Sequence, residues 1–101
     1  MTISSFALTS TPSAIFTSTG ISVISTAYFC NINRSSTQQF NVWLVQNGDV
    51  PSNVNLIYNN VAVTAGDTHI MDREKIVLDD GDSVYANCTA NISATLSTFA
   101  Q

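Results

Sequence analysis

Apolar and polar residues alternate along most of the chain, with the period of two that a β-strand imposes. The clearest example is 92–99, where Ile92, Ala94 and Leu96 alternate with serine and threonine. No window has apolar residues at helical spacing with helix-forming residues between them, so we predict essentially no helix. The pattern predicts about eight short strands. The candidates are 14–19, 21–32, 38–46, 56–58 and 61–63 on either side of Asn59-Asn60, 69–71, 76–78, 84–86 and 92–99.

Short strands separated by turn residues indicate an all-β fold, an antiparallel β-sandwich of either the jelly-roll or the Ig-like kind. A chain of 101 residues has room for one core but not for two. We therefore predict a single sandwich domain over 13–101. Residues 1–12 are predicted to form an N-terminal edge strand or an extended arm, which Pro12 ends. Phe6 and Leu8 in this segment are candidates for contacts with a partner.

The strongest turn signal is the acidic sequence Asp79-Asp80-Gly81-Asp82. Asp-Gly between apolar runs is typical of a tight hairpin turn, because both residues tolerate positive φ. We predict a hairpin of 76–78 and 84–86, against which the other strands pack. Asp79, Asp80 and Asp82 are also the best candidates for metal ligands, but no calcium-binding loop spacing surrounds them. The preferred interpretation is that Asp79 and Asp80 cap the turn and that no metal is bound.

The longest predicted strand, 21–32, is expected to be bent. Strict alternation places Val23 on the same face as Ala27 and Phe29, and it places Ile24 on the opposite face.

Two aromatic residues lie opposite the main core candidates of their strands. Alternation places Tyr28 opposite Phe29, and it places Trp43 opposite Phe40. Such residues either fill a second apolar layer or act as exposed anchors, since aromatic side chains contribute strongly to interfaces. Tyr28 and Trp43 are therefore candidate interaction residues.

Charge and chemistry exclude several classes of function. Charged residues make up 10% of the chain and the net charge is −4. The three basic residues, Arg34, Arg73 and Lys75, form no stripe, which argues against nucleic-acid binding. No apolar run approaches the ~20 residues of a membrane span, and the first residues do not resemble a signal peptide. We therefore expect no membrane association.

The remaining reactive residues are few. His69 is the only histidine, and no nucleophile motif accompanies it, so we expect no enzymatic activity and no cofactor. Cys30 and Cys88 are expected to be reduced, half-buried thiols, with Cys88 on the face of Val84 and Ala86.

Five segments between Ile24 and Ala86 form a series of strands and turns. They are Tyr-Phe-Cys-Asn (28–31), Phe-Asn-Val-Trp-Leu-Val (40–45), Leu-Ile-Tyr-Asn (56–59), Ala-Gly-Asp-Thr (65–68) and Lys-Ile-Val-Leu-Asp-Asp-Gly-Asp-Ser-Val (75–84). This series resembles the small all-β virion proteins of tailed bacteriophages, which are structural or decoration proteins of similar length. The resemblance covers about two thirds of the chain and leaves out the first twenty residues.

The resemblance implies a non-enzymatic building block located in the virion. The leading hypothesis is a capsid decoration (cement) protein, a homo-oligomer that binds the major capsid protein lattice and stabilises the shell. Residues 1–11 would add a strand to a neighbour, so their deletion is expected to weaken particle binding and to leave the domain folded. Two alternatives remain: a tail, neck or fibre component of the virion, and a carbohydrate-binding module that recognises the host surface through Trp43 or Tyr85.

Overall fold

The computed structural model describes residues 2–71 and 76–100, and the side chains of 3–71 and 76–99. These residues form nine β-strands and no helix, which confirms the all-β prediction. Accordingly, no helix within the described ranges is long and apolar enough to cross a membrane. The strands are β1 (Thr2–Ala7), β2 (Ser13–Thr17), β3 (Ser22–Asn31), β4 (Gln38–Val45), β5 (Leu56–Val63), β6 (Thr68–Met71), β7 (Ile76–Leu78), β8 (Ser83–Cys88) and β9 (Ile92–Ala100).

The strands form two antiparallel sheets that pack as a sandwich. The five-stranded sheet has the order β1-β9-β3-β6, with β7 also paired to β3, and the four-stranded sheet has the order β2-β8-β4-β5. Strands β6 and β7 pair with successive parts of β3 and together fill one strand position. The result is the order of a jelly roll, a long antiparallel ribbon rolled into two sheets. The strand order therefore decides between the two sandwich types that the sequence leaves open.

Alternation along each strand sends one set of side chains into the space between the sheets. An aromatic cluster spans this space. The rings of Phe29 on β3 and Phe40 on β4 stack with centroids 4.3 Å apart. The ring of Tyr58 on β5 meets Phe40 at 6.0 Å, and the His69 ring on β6 lies 5.5 Å from Phe40. The cluster thus joins two strands of each sheet.

One fully buried polar side chain, Asn31, fixes the end of β3. Its Nδ2 group donates to the backbone carbonyl oxygens of Ser36 and Val63, each at 2.9 Å. Its Oδ1 atom accepts a hydrogen bond of 2.9 Å from the backbone N–H of Asn33. Asn31 therefore joins the loop after β3 to the end of β5 in the other sheet. Both polar atoms of its buried side chain have hydrogen-bond partners, so its burial leaves neither of them unpaired.

The predicted hairpin at the acidic turn is wrong. Strand β7 pairs with β3 in the five-stranded sheet, whereas β8 pairs with β2 and β4 in the four-stranded sheet. Residues 79–82 therefore form an arch that carries the chain from one sheet to the other. A hairpin and an arch require the same backbone conformation at this turn, and Gly81 has the expected positive φ of 85°. Local sequence specified the turn, and tertiary packing decided where its two strands go.

Two local irregularities also differ from strict alternation. The register of β3 against β9 shifts between Ile24 and Thr26, so Ile24, not Val23, is buried on the face of Phe29. This β-bulge is the bend expected in that strand. In β5, residues 56–63 form one strand instead of two, because Asn60 takes a positive φ of 50° at a register shift within the strand and does not end it.

Of the two alternatives for the N-terminal segment, the structure has the edge strand. Residues Thr2–Ala7 pair in unbroken register with β9 of the same chain. Leu8 is 8% exposed and belongs to the hydrophobic core, so it offers almost no surface to a partner. Deleting residues 1–11 would remove a paired strand and a core side chain, so we expect this deletion to lower the stability of the domain as well as to affect binding.

Candidate interaction surface

The outward-facing side of the five-stranded sheet, here called the outer face, contains no Asp, Glu, Lys or Arg among its described residues. Strand register defines its members, because residues opposite each other on paired strands point the same way. They are Ile3, Ser5, Ala7, Val23, Thr26, Tyr28, Cys30, Thr68, Ile70, Val77, Ser93, Thr95, Ser97 and Phe99. The described part of the face is built of apolar, hydroxyl and thiol side chains.

Apolar side chains run across the outer face in rows. Val77, Val23 and Phe99 are opposite one another on β7, β3 and β9. Ile70 is opposite Tyr28 in the next part of the same sheet. Val77 is 64% exposed and Ile70 is 50% exposed, and exposed apolar side chains collected on one face mark a candidate interaction site.

The outer face is somewhat smaller than one partner's share of a standard protein interface. Its strands have six, nine, ten, four and three residues, and at ~3.3 Å per residue and ~4.8 Å between strands they cover about 500 Å². A standard interface buries about 800 Å² on each partner. The outer face can therefore supply more than half of one partner's share of a standard interface.

The four interaction candidates from the sequence do not form one site. Tyr28 lies on the outer face and is 41% exposed. Trp43 is half-buried on the opposite side of the molecule, where it pairs in register with Tyr85 on the outward side of the four-stranded sheet. Phe6 points inward at the β1 edge and is partly exposed there, and Leu8 is in the core.

The alternation pattern does not point to most of the outer face, including Ile3, Ile70, Val77 and Phe99. A signal for it was present. Residues 1–33 and 83–101 contain no Asp, Glu, Lys or Arg, and these two ranges supply β1, β3 and β9 of the five-stranded sheet. Without the strand order, however, nothing showed that the two ranges would be adjacent.

The acidic turn is held by hydrogen bonds from backbone groups of two other loops. The Asp80 carboxylate accepts one from the N–H of Gly20 at 2.9 Å. The Asp82 carboxylate accepts one from the N–H of Asn47 at 3.0 Å and another from the N–H of Asp79 at 3.1 Å. The capping residues are thus Asp80 and Asp82, where the sequence suggested Asp79 and Asp80.

These contacts give the metal candidates a structural role. The carboxylate oxygens of Asp80 and Asp82 are directed at backbone amides that join the arch to the loops after β2 and β4. Within the described part of the chain, no three His, Cys, Asp or Glu residues are grouped closely enough to hold a metal ion.

We expect Gly81→Ala to destabilise the protein more than Gly48→Ala does. Both glycines have positive φ, 85° and 87°, so each substitution adds backbone strain of about 1 kcal/mol. Only at Gly81 would the new Cβ overlap another group, the side chain of Asn47, whereas the space around Gly48 is open. Urea unfolding of the two variants measures the difference. In an Asn47→Gly background, which removes the Cβ of residue 47 together with its amide group, the excess should disappear, and an excess that persists would contradict the steric explanation.

The lone histidine and the two cysteines are placed by the strands on which they lie. The His69 ring packs against Phe40 and, at 5.6 Å, against Tyr58. Cys88 is buried in the core, deeper than the half-buried position expected for it, and Cys30 is half-buried on the outer face. Both are free thiols in the structure.

Comparison of the chain with protein-family models, curated protein sequences and solved structures finds no match. Inferences about function therefore depend on the surfaces described above and on the sequence pattern.

Proposed function

We propose that the protein is a non-enzymatic structural component of a tailed-bacteriophage virion, and specifically a capsid decoration (cement) protein. It would bind the lattice of the major capsid protein through its outer face. The observation that supports this proposal is that the described residues of the outer face include no charged side chain and carry exposed Tyr28, Ile70 and Val77. Such a face loses little hydration energy when a partner covers it, because no ionised group has to be desolvated.

The proposal explains how a small domain would stabilise a shell. A protein that binds only the assembled lattice adds its binding free energy to the stability of that assembly. The jelly-roll order is found in viral capsid proteins and also in lectins. Fold alone therefore does not select a function, and the chemistry of the outer face is what favours a protein partner.

We expect Tyr28→Lys to weaken particle binding by at least about tenfold and to leave the isolated domain folded. The substitution puts a positive charge at the centre of the uncharged face, where it would be desolvated on binding. Cosedimentation of the purified chain with particles that lack it measures the effect. The matched control is Gln39→Lys, which adds the same charge at an exposed position of the four-stranded sheet and should leave binding unchanged.

The copy number of the chain in purified particles tests the proposal directly. A decoration protein is present in numbers on the order of hundreds, set by capsid symmetry, whereas a tail, neck or fibre component is present in small multiples of about three or six. Absence of the chain from purified particles, or equal binding by Tyr28→Lys and wild type, would contradict the proposal.

A carbohydrate-binding module is the second candidate, favoured by the register pairing of Trp43 with Tyr85. Adjacent aromatic rings can provide a platform for a sugar. Next to them, however, Nδ2 of Asn41 donates to Oδ1 of Asn87 at 2.8 Å, and Nδ2 of Asn87 donates to the carbonyl of Ser10 at 3.2 Å, so these amides are already engaged. Saturable quenching of Trp43 fluorescence by a saccharide would favour this function over the decoration role.

A further inference from the structure

Strand β1 is an edge strand whose backbone is open to pairing, and the other sheet edges are different. In β2 the register shifts between Ala14 and Phe16, and Pro12 precedes the strand. In β5 the N–H of Asn60 is bonded to the side chain of Asn41, next to two register shifts. Strands β6 and β7 have four and three residues. Bulges, proline and short length are the features that discourage edge-to-edge pairing.

None of those features occurs in β1. Its six residues, Thr2–Ala7, contain no charge, proline or glycine, and they pair with β9 without a register shift. Ile3 on this strand is 71% exposed. A regular, uncharged edge of this length is a template for another strand.

The direction of the open backbone groups follows from the hydrogen bond beyond the end of β1. The N–H of Leu8 donates to the carbonyl of Ile92 at 2.9 Å. In an antiparallel ladder alternate residues face the same neighbour, so even-numbered residues face β9. The N–H and C=O groups of Ile3, Ser5 and Ala7 therefore point to the open edge. Backbone groups of this kind are strong donors and acceptors that favour a partner.

We propose that β1 pairs with β1 of a second copy of this chain, antiparallel, about a two-fold axis at Ser5. In this register Ser5 is opposite Ser5, and Ile3 is opposite Ala7 of the second copy. In each strand, the backbone groups of Ile3, Ser5 and Ala7 face the open edge, and the two strands then exchange about six hydrogen bonds. The two five-stranded sheets become one continuous sheet of ten strands, and their outer faces become one surface.

A second copy is the partner that the strand itself fits. A two-fold contact requires a surface complementary to itself, and an antiparallel strand supplies its own donors and acceptors in the matching order. The exposed Ile3 side chain gains the small Ala7 of the other copy as its neighbour, and no like charges are brought together. Pairing of β1 strands would take place in solution and does not require the virion role.

The charge distribution also favours pairing through β1. The chain carries a net charge of −4. Asp67 precedes β6 and Asp79 follows β7, and both strands lie on the side of β3 away from β9 and β1. Joining two copies at β1 therefore leaves these acidic groups at the far ends of the combined sheet, where their mutual repulsion is screened by salt.

The test is the molar mass of the protein by light scattering across a concentration series. We expect a dimer for the wild type and a monomer for Ser5→Pro, which removes an N–H from the open edge but none from the β9 ladder. The matched control is Thr17→Pro. Thr17 also faces an open edge, on β2, and its hydroxyl is 3.2 Å from that of Ser83, as the Ser5 hydroxyl is from that of Thr95. Thr17→Pro should stay dimeric.

Oxidative cross-linking tests the register independently of the proline variants. At the two-fold axis the Cα atoms of two Ser5 residues would be about 5.5 Å apart, within the range for a disulfide. Ser5→Cys should therefore form a covalent dimer, Ile3→Cys should not, and the parent chain with its own two cysteines gives the background. A monomeric wild type, equal molar mass for Ser5→Pro and wild type, or equal cross-linking of Ser5→Cys and Ile3→Cys would overturn the proposal.

Discussion

Replacing Phe40 with alanine is expected to lower the free energy of unfolding by about 3–5 kcal/mol. Phe40 is fully buried, stacks on Phe29 from the other sheet, and has Tyr58 and His69 around its edge. Its removal leaves a cavity where the two sheets contact each other, and rigid strands on both sides limit how far that cavity can collapse. Since a domain of this size is stable by only about 5–15 kcal/mol, the loss is a large fraction of the total.

Urea unfolding followed by Trp43 fluorescence measures this effect, and Phe99→Ala is its control. Phe99 loses the same atoms but is 41% exposed on the outer face, so we expect a loss of about 1 kcal/mol or less. Similar losses for the two variants would show that the aromatic cluster does not hold the sheets together.

Asn31→Asp is expected to lower stability by about 3–5 kcal/mol, although the two side chains have nearly the same shape. Nδ2 of Asn31 donates to two carbonyl oxygens, from Ser36 and Val63. A carboxylate oxygen in that place would face both carbonyls without a proton to donate, in a position that water does not reach. The substitution thus converts two hydrogen bonds into repulsive contacts and buries a charge.

Asn33→Asp is the control for this prediction, because Asn33 lies two residues away and uses its side chain differently. Its Oδ1 atom accepts from the N–H groups of Ser35 and Ser36 and from the Ser35 hydroxyl. Aspartate can accept the same bonds, so we expect a change within about 0.5 kcal/mol. Unfolding midpoints in urea compare the two variants, and equal destabilisation by both would show that the donor role of Asn31 is unimportant.

Alternation alone was sufficient to predict the fold class and most buried faces. The inward residues of β9 and β4, such as Leu96, Phe40 and Val42, are buried as their spacing indicates. Each of these strands buries one face against the other sheet, and side-chain period fixes that face once the strand exists. A β-bulge interrupts the period between Ile24 and Thr26 in β3. The sequence does not reveal the extra residue, so strict alternation assigns Val23 and Ile24 to the wrong faces.

Strand partners were harder to predict than strands. The Asp-Gly sequence at 80–81 specifies a tight turn, but a turn between paired strands and an arch between sheets require the same backbone conformations. The choice between them depends on β3, about fifty residues away in the sequence, which offers β7 a position beside it. The same limitation hid the outer face, since its residues come from five strands spread over the whole chain.

The strand pairs of the ribbon are nested: β1 with β9 encloses β2 with β8, which encloses β3 with β6 and β7, which encloses β4 with β5. Because the residues opposite β1 run from Ser93 to Thr98, β1 has no complete partner in its own chain until β9 has been synthesised. Closure of the sandwich must therefore wait for nearly all of this sequence to leave the ribosome, and such long-range pairing is slow. During that delay the first strand of each nascent chain is exposed to the strands of its neighbours on the same polysome.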